Sequence, residues 1–150
     1  MSHLLIVANV PSKNTNLLRN ATYHGAVASS FPVIQRSPLE ATVGDVLAAQ
    51  GIIIGTTENF GYMSGQVKDF FERIYYPCFQ DTQGLPWAMY ISAGQDGVGA
   101  LQSVERIVTG LKWKKTQEAL IFKSPFKQAY IHQCEELGAC MAMGLSSKIF

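Results

Sequence analysis

Charge is scarce in this chain. Asp, Glu, Lys and Arg make up 15% of its 150 residues, with 12 basic side chains against 11 acidic ones. So even a balance offers no general attraction for nucleic acid or for an acidic membrane surface. Long apolar runs are missing too, and none reaches the roughly 20 residues a membrane helix needs. Cysteine is limited to Cys78, Cys134 and Cys140. An odd set without paired spacing does not suit a disulfide framework and points to a reducing, cytoplasmic setting. Cys134 and Cys140 are poorly spaced for zinc, so ordinary thiols are expected. His3, His24 and His132 are scattered, with no metal-ligand pair among them. Met1 to Val10 has neither a basic leader nor a cleavage-like site, and it reads as a strand instead of a signal peptide. Repeats, low-complexity tracts and long linkers are likewise lacking, so a single domain over 1–150 is expected.

What is present is alternation. Hydrophobic residues make up 47% of the chain, enough for a sizeable core. Leu4–Ala8 is a short apolar run of the kind found in a strand covered on both faces. Leu17, Leu18, Ala21, Gly25 and Ala28 then fall at helical spacing. Phe31–Gln35 signals a second strand, and Asp45–Gln50 a short helix stopped by Gly51. Gly51–Gly55, with Ile52, Ile53 and Ile54 at its centre, is the clearest buried strand. A polar loop follows over Thr56–Ser64. Val67, Phe70, Phe71, Ile74 and Tyr75 mark the clearest helix, which Ser64 caps and Pro77 ends. Trp87–Ser92 is a fourth strand, and Val98, Leu101, Val104, Val108 and Leu111 a further helical stripe. Ala119–Phe122 is a fifth strand, and Phe126, Tyr130, Cys134, Leu137 and Met141 a last helix. The order βαβαβαβαβα predicts a parallel sheet with helices on both faces. Ligands of such sheets sit beyond the carboxyl ends of the strands, near the switch point.

Three loops fall at such ends. The first, Asn9–Asn16, leads straight into a helix, whose amides and dipole favour an anion. Ser12 and Thr15 add hydroxyls, and Asn14 and Asn16 add amides. This suits a phosphate monoester; equally, Asn14 or Thr15 could simply cap the helix. Neither Gly-x-x-x-x-Gly-Lys-Ser/Thr nor Gly-x-Gly-x-x-Gly is present, which disfavours a nucleoside triphosphate or a Rossmann dinucleotide. The first loop lacks an acidic pair, and the third strand ends in Gly55 and Thr56 instead of Asp, which argues against a phosphoacceptor domain.

In the loop after the third strand, Thr57, Glu58, Asn59, Phe60, Gly61 and Tyr62 mix amide, aromatic and glycine. Phe60 and Tyr62 could flank a planar ring, or fold back on the core. In the loop after the fourth strand, Ala93, Gly94, Gln95, Asp96 and Gly97 could bring backbone amides to a polar ring edge, or form a plain turn. Lys112, Lys114, Lys115, Lys123 and Lys127 make a basic late segment, read as a solvated face that could attract an anionic cosubstrate. Tyr75–Phe79 could be a lid or a contact within a homodimer, or packing beneath the loop 80–86.

Together these loops resemble those of the flavodoxin-like FMN proteins. The most specific stretch is Gly55–Arg73. It is similar to a stretch of the NAD(P)H-dependent FMN reductases and NAD(P)H:quinone reductases that opens Gly-Ser/Thr-Pro, continues Gly-x-Met/Pro-Ser/Thr and closes Lys-x-Phe-Leu/Phe-Asp/Glu-Arg. The resemblance implies a doubly wound five-stranded parallel sheet, FMN as cofactor and isoalloxazine contacts from residues 57–62. It also implies electron transfer from NAD(P)H to a small acceptor such as a quinone or flavin. Asn14-Thr15 resembles the end of the flavodoxin phosphate loop, Ser/Thr-x-Ser/Thr-Gly-Asn-Thr. Here Val10 replaces a hydroxyl, Pro11 precedes Ser12, and Lys13 replaces the glycine. Thr57 replaces the usual proline of the second loop. The flavin carries the chemistry in such proteins, so no catalytic side chain is assigned. Two other expectations stay open. One is an electron carrier without its own substrate, although such carriers resemble one another in being acidic. The other is a binding module that has lost FMN.

Overall fold

Each of His3–Ala8 is buried, as a strand with a layer on either side must be. In the computed structural model, which describes residues 2–150, this segment is β1. It is followed by α1 (Lys13–Val27), β2 (Val33–Arg36), α2 (Val43–Leu47), β3 (Ala49–Asn59), β4 (Tyr62–Met63) and α3 (Gly65–Cys78). The chain continues with β5 (Pro86–Ala93), α4 (Val98–Leu111), β6 (Lys114–Lys115), β7 (Leu120–Lys123) and α5 (Gln128–Ser146). The main path through the sheet runs β2-β1-β3-β5, with β6 and β7 both on the outer side of β5. All these pairings are parallel, so the expected doubly wound five-position sheet is present.

Alternation along the strands separates two cores. Leu5, Val7, Ile52 and Ile54 face α2, α3 and α4, together with Phe70, Phe71, Ile74, Val104 and Val108. Leu4, Ile6, Ala8 and Ile53 face α1 and α5, with Leu18, Ala21, Leu137 and Met141. On this second face the two helices meet almost backbone to backbone. A Cβ on Gly25 would collide with the Glu135 carbonyl, and one on Gly138 with the Thr22 carbonyl. No described helix is long and apolar enough to cross a membrane.

Several boundaries differ from the sequence reading. Residues 56–59, expected in a loop, extend β3. The β-branched Thr56 and Thr57 stay in register with Ile91 and Ser92, and Glu58 and Asn59 then pair antiparallel with Met63 and Tyr62. The short helix starts at Val43 instead of Asp45, because Thr42 and Asp45 form a reciprocal capping box. Ala49 and Gln50 belong to β3, so Gly51 stops no helix. Pro77 lies inside the last turn of α3, where its missing N–H removes a single bond. The second strand starts at Val33 instead of Phe31, and Phe126 precedes α5. Val98 is largely exposed, and Ala100 takes its place in the core. The fifth strand position is divided. Between its halves, the Thr116 amide and hydroxyl both donate to the Trp87 carbonyl, at 3.0 and 3.1 Å.

Candidate functional site

β1 ends in a polar residue whose side chain reaches sideways. Asn9 Nδ2 donates to Thr57 Oγ1 at 3.2 Å, and the Thr57 amide donates back to Asn9 Oδ1 at 3.2 Å. This two-point tie joins the loop after β1 to the end of β3. It needs an N–H at residue 57, so the threonine that replaces the expected proline has a structural reason. Thr57 Oγ1 in turn donates to Asn59 Oδ1 at 3.1 Å.

A second tie joins β3 to the loop after β5. Glu58 Oε1 accepts from the Gly97 amide, and Oε2 from the Ala100 amide, each at 3.2 Å. Gly97 is the N-cap of α4 and offers no side chain, so a carboxylate from another strand performs the capping. Its negative charge complements the positive end of the helix. The hairpin tip is fastened as well. Ser103 Oγ accepts from the Met63 amide at 3.1 Å. Gly99 lets the tip approach, since a Cβ there would collide with the Gly61 carbonyl. Three strand-end loops thus form one continuous rim.

At the head of α1, Ser12 is the N-cap and Thr15 the third helical residue. Ser12 Oγ accepts from the Thr15 amide at 3.2 Å, and Thr15 Oγ1 accepts from the Ser12 amide at 3.0 Å. Both hydroxyls therefore serve a capping box, and the cap is Ser12, not Asn14 or Thr15. The amides of Lys13 and Asn14 have no intrahelical acceptor. Asn14 is exposed, while Asn16 turns back to accept from Arg19 Nη2 at 3.0 Å. Ser12 and Asn14 also wall a polar cleft of ≈ 110 Å³ with Ser92, Lys123, Ser124 and Tyr130.

Phe60 and Gly61 turn the hairpin with φ of 54° and 69°. A left-handed phenylalanine is strained, and its ring is completely exposed. It does not fold back on the core. Tyr62 is partly exposed, and the Lys68 ammonium lies 6.0 Å from its ring centroid. Ala93 is the buried last residue of β5, Gly94 and Gln95 are exposed, and Asp96 Oδ1 accepts from the Val98 amide at 3.0 Å. The residues brought together are therefore Ser12, Asn14, Thr57, Glu58, Asn59, Phe60, Gly61 and the loop from Ala93 to Gly97. Asn16 and Tyr62 turn elsewhere. Asn9 opens the first loop but was not among its candidate site residues, although a polar residue directly after the apolar run Leu4–Ala8 was the available signal. Ser103 and Gly99 gave none.

The other reactive groups lie apart. Cys78 and Cys134 are buried and Cys140 is exposed. Burial pushes the Cys134 thiol up to about 12, with Thr22 opposing it weakly. His3 is buried at the start of β1, and His24 and His132 lie on exposed helix faces. No group of three metal-ligating side chains gathers among the described residues. Tyr75 and Phe79 stack with ring planes 8° apart, and residues 75–78 form the last turn of α3 with Phe79 as its C-cap.

The comparisons with known proteins agree with the strand order. No family model matches the sequence, and no curated protein does. Among solved structures, a flavodoxin from the domain Archaea superposes with a TM-score of 0.78 at 17% identity, covering 97% of this chain and 99% of that one. The fold is that of the flavodoxins. A flavodoxin, WrbA-like protein from Agrobacterium tumefaciens gives 0.78 at 16% identity, over 97% and 98% of the two chains. Flavodoxin 2 from Bacillus cereus gives 0.76 at 20% identity, over 97% and 99%. At these identities the likeness establishes the flavodoxin-like fold and nothing finer.

Proposed function

We propose that the rim binds FMN, and that the protein transfers electrons from NAD(P)H to a small acceptor such as a quinone or flavin. The observation that carries this reading is the stitching of three strand-end loops into one site by Asn9 and Glu58. Its parts fit the cofactor. The Lys13 and Asn14 amides at the head of α1 suit the phosphate, and they need no hydroxyl because Ser12 and Thr15 hold the loop's shape. Asn59, Phe60 and Gly61 on one side and the backbone from Gly94 to Gly97 on the other suit a flat ring with polar edges. The flavin, when bound, supplies the hydride-accepting and electron-donating chemistry. The chain's own part is to orient it and shape access, so no side-chain acid or base is required.

The similarity of Gly55–Arg73 to the FMN and quinone reductases supports the reductase reading, and so does the near balance of charge. A flavodoxin-type carrier is the second reading, favoured by the likeness to solved flavodoxins. The setting we propose is cytoplasmic, with a small-molecule acceptor and no nucleic-acid or membrane partner. The test has two stages. Purified protein is titrated with FMN and with riboflavin, and FMN is expected to bind tighter; equal affinity would remove the phosphate site from the head of α1. The loaded protein is then mixed with NADH or NADPH without air. Direct bleaching of the flavin is expected, whereas flavin that stays oxidised under excess of both means a carrier.

A further inference from the structure

Between α3 and α4, on the outer side of the hairpin, lies a cleft of ≈ 420 Å³ that the flavin rim does not use. The two helices touch at its far end, where the Tyr75 hydroxyl lies over Gly110. Near the hairpin, the Met63–Ser103 hydrogen bond holds α4 to β4, the strand that leads into α3. Between these points the side chains spread apart. Gly61, Tyr62, Lys68, Gln102 and Arg106 line the opening.

The chemistry of this lining is particular. Arg106 makes no hydrogen bond or ion pair among the described residues. Lys68 pairs with Glu72 at 3.0 Å and sits 6.0 Å from the centroid of the Tyr62 ring. Its hydrogen bond to Glu72, with the Tyr62 phenol behind it, raises its ammonium above the ordinary value, so it is cationic at neutral pH. Tyr62 keeps 41% of its surface exposed. An aromatic face beside a free guanidinium and an ammonium matches a ligand with a planar base and phosphate groups. The volume falls in the range of small-molecule sites. Gly61 belongs both to this cleft and to the hairpin tip that bounds the flavin rim, so one extended ligand can reach from one to the other.

We propose that this cleft takes the adenosine-phosphate half of the nicotinamide dinucleotide, with the base against Tyr62 and phosphate on Arg106 and Lys68. The proposal rests on the reductase reading and adds where the cosubstrate docks. It makes Tyr62 a nucleotide contact instead of a flavin contact.

The test is calorimetric titration of the FMN-loaded full chain with ADP and with adenosine 2′,5′-bisphosphate. Wild type, Arg106→Gln, Tyr62→Leu and the remote control Lys112→Gln are compared. Arg106→Gln is expected to weaken the phosphate-bearing fragments about tenfold or more, the scale of a lost charge-assisted hydrogen bond. FMN affinity and melting temperature should stay at wild-type values, and Lys112→Gln should change nothing. KM for NADPH alone should rise if the guanidinium meets the 2′-phosphate, and KM for both dinucleotides if it meets the diphosphate. Either result supports the site. Fragments that fail to bind, or that bind wild type and Arg106→Gln equally while NAD(P)H still bleaches the flavin, overturn it. So does a sedimentation shift showing that a second copy of the chain covers the groove. Fragment binding without any bleaching instead keeps the cleft and removes the reductase reading.

Discussion

The two helix layers solve the same problem differently. On one face α1 and α5 close over the sheet because Gly25 and Gly138 remove side chains where the helices cross. On the other, α3 and α4 touch where Tyr75 lies over Gly110, while Lys68, Arg106 and Ile107 line a groove beside that contact. Both faces bury a continuous apolar core against the sheet. The difference lies above that core, at the helix–helix contact. Paired glycines at a crossing bring two backbones together, while long or forked side chains between helices leave open space.

The sharpest way to break this comparison is to give the sealed face a side chain. Gly138→Val should destabilise the fold by about 3 kcal/mol or more, the upper end of overpacking costs, because the obstacle is the Thr22 carbonyl and not a movable side chain. Gln102→Ala in the open groove should stay within roughly 0.5 kcal/mol of wild type. Urea unfolding of the two variants decides the matter, and similar losses would end the distinction.

The next effect concerns how the open face is tied to the rim. Glu58→Ala removes the acceptor for the Gly97 and Ala100 amides. A loss of about 1.5–3 kcal/mol is expected in FMN binding, the scale for hydrogen bonds to a charged group. The head of α4 should also lose protection from hydrogen exchange. Unchanged FMN affinity would mean that the rim holds its shape without this carboxylate.

A smaller effect is expected at the head of α1. Ser12→Ala breaks the capping box and should cost about 1 kcal/mol of stability. The preference for FMN over riboflavin should survive, since the Lys13 and Asn14 amides remain. Loss of that preference with stability intact would make the Ser12 hydroxyl a phosphate ligand after all.

The smallest effect is a pH dependence at the cap of α2. Burial pushes the Asp45 carboxyl up, but the Thr42 amide and hydroxyl and the Arg36 guanidinium outweigh it, so its pKa lies below the usual carboxylate value. A depressed folded pKa stabilises the fold above the unfolded value, near 4, and the gain fades as pH falls through the folded one. Asp45→Asn should flatten the acid side of the stability profile and leave the neutral region parallel to wild type. An acid limb as steep as wild type would place the titration elsewhere.

Much of this was written locally. Leu4–Ala8 and Ile52–Ile54 are apolar enough to require cover on both faces, and the spacing of Val67, Phe70, Phe71 and Ile74 allows only a helix with one buried stripe. A parallel sheet, its two helix layers and the placing of three loops at one end follow from that alternation, while the doubly wound arrangement was implied by the resemblance of Gly55–Arg73 and the loops. The sequence alone therefore determined a parallel sheet covered on both faces and the neighbourhood of its site. Polar roles were a tertiary decision. Glu58 could have met a ring, a cation or water; it caps α4 because the sheet register sets it beside two unsatisfied amides 39 and 42 residues away in the chain. Tyr62 could have packed on the core or met a planar ring; in the fold its ring lies 6.0 Å from the Lys68 ammonium of α3, a neighbour that only the turn between β4 and α3 brings near. Apolar burial is non-directional and can be read from composition and period. A hydrogen bond is directional and short-ranged, so its partner exists only once distant segments have been brought within about 3 Å of each other.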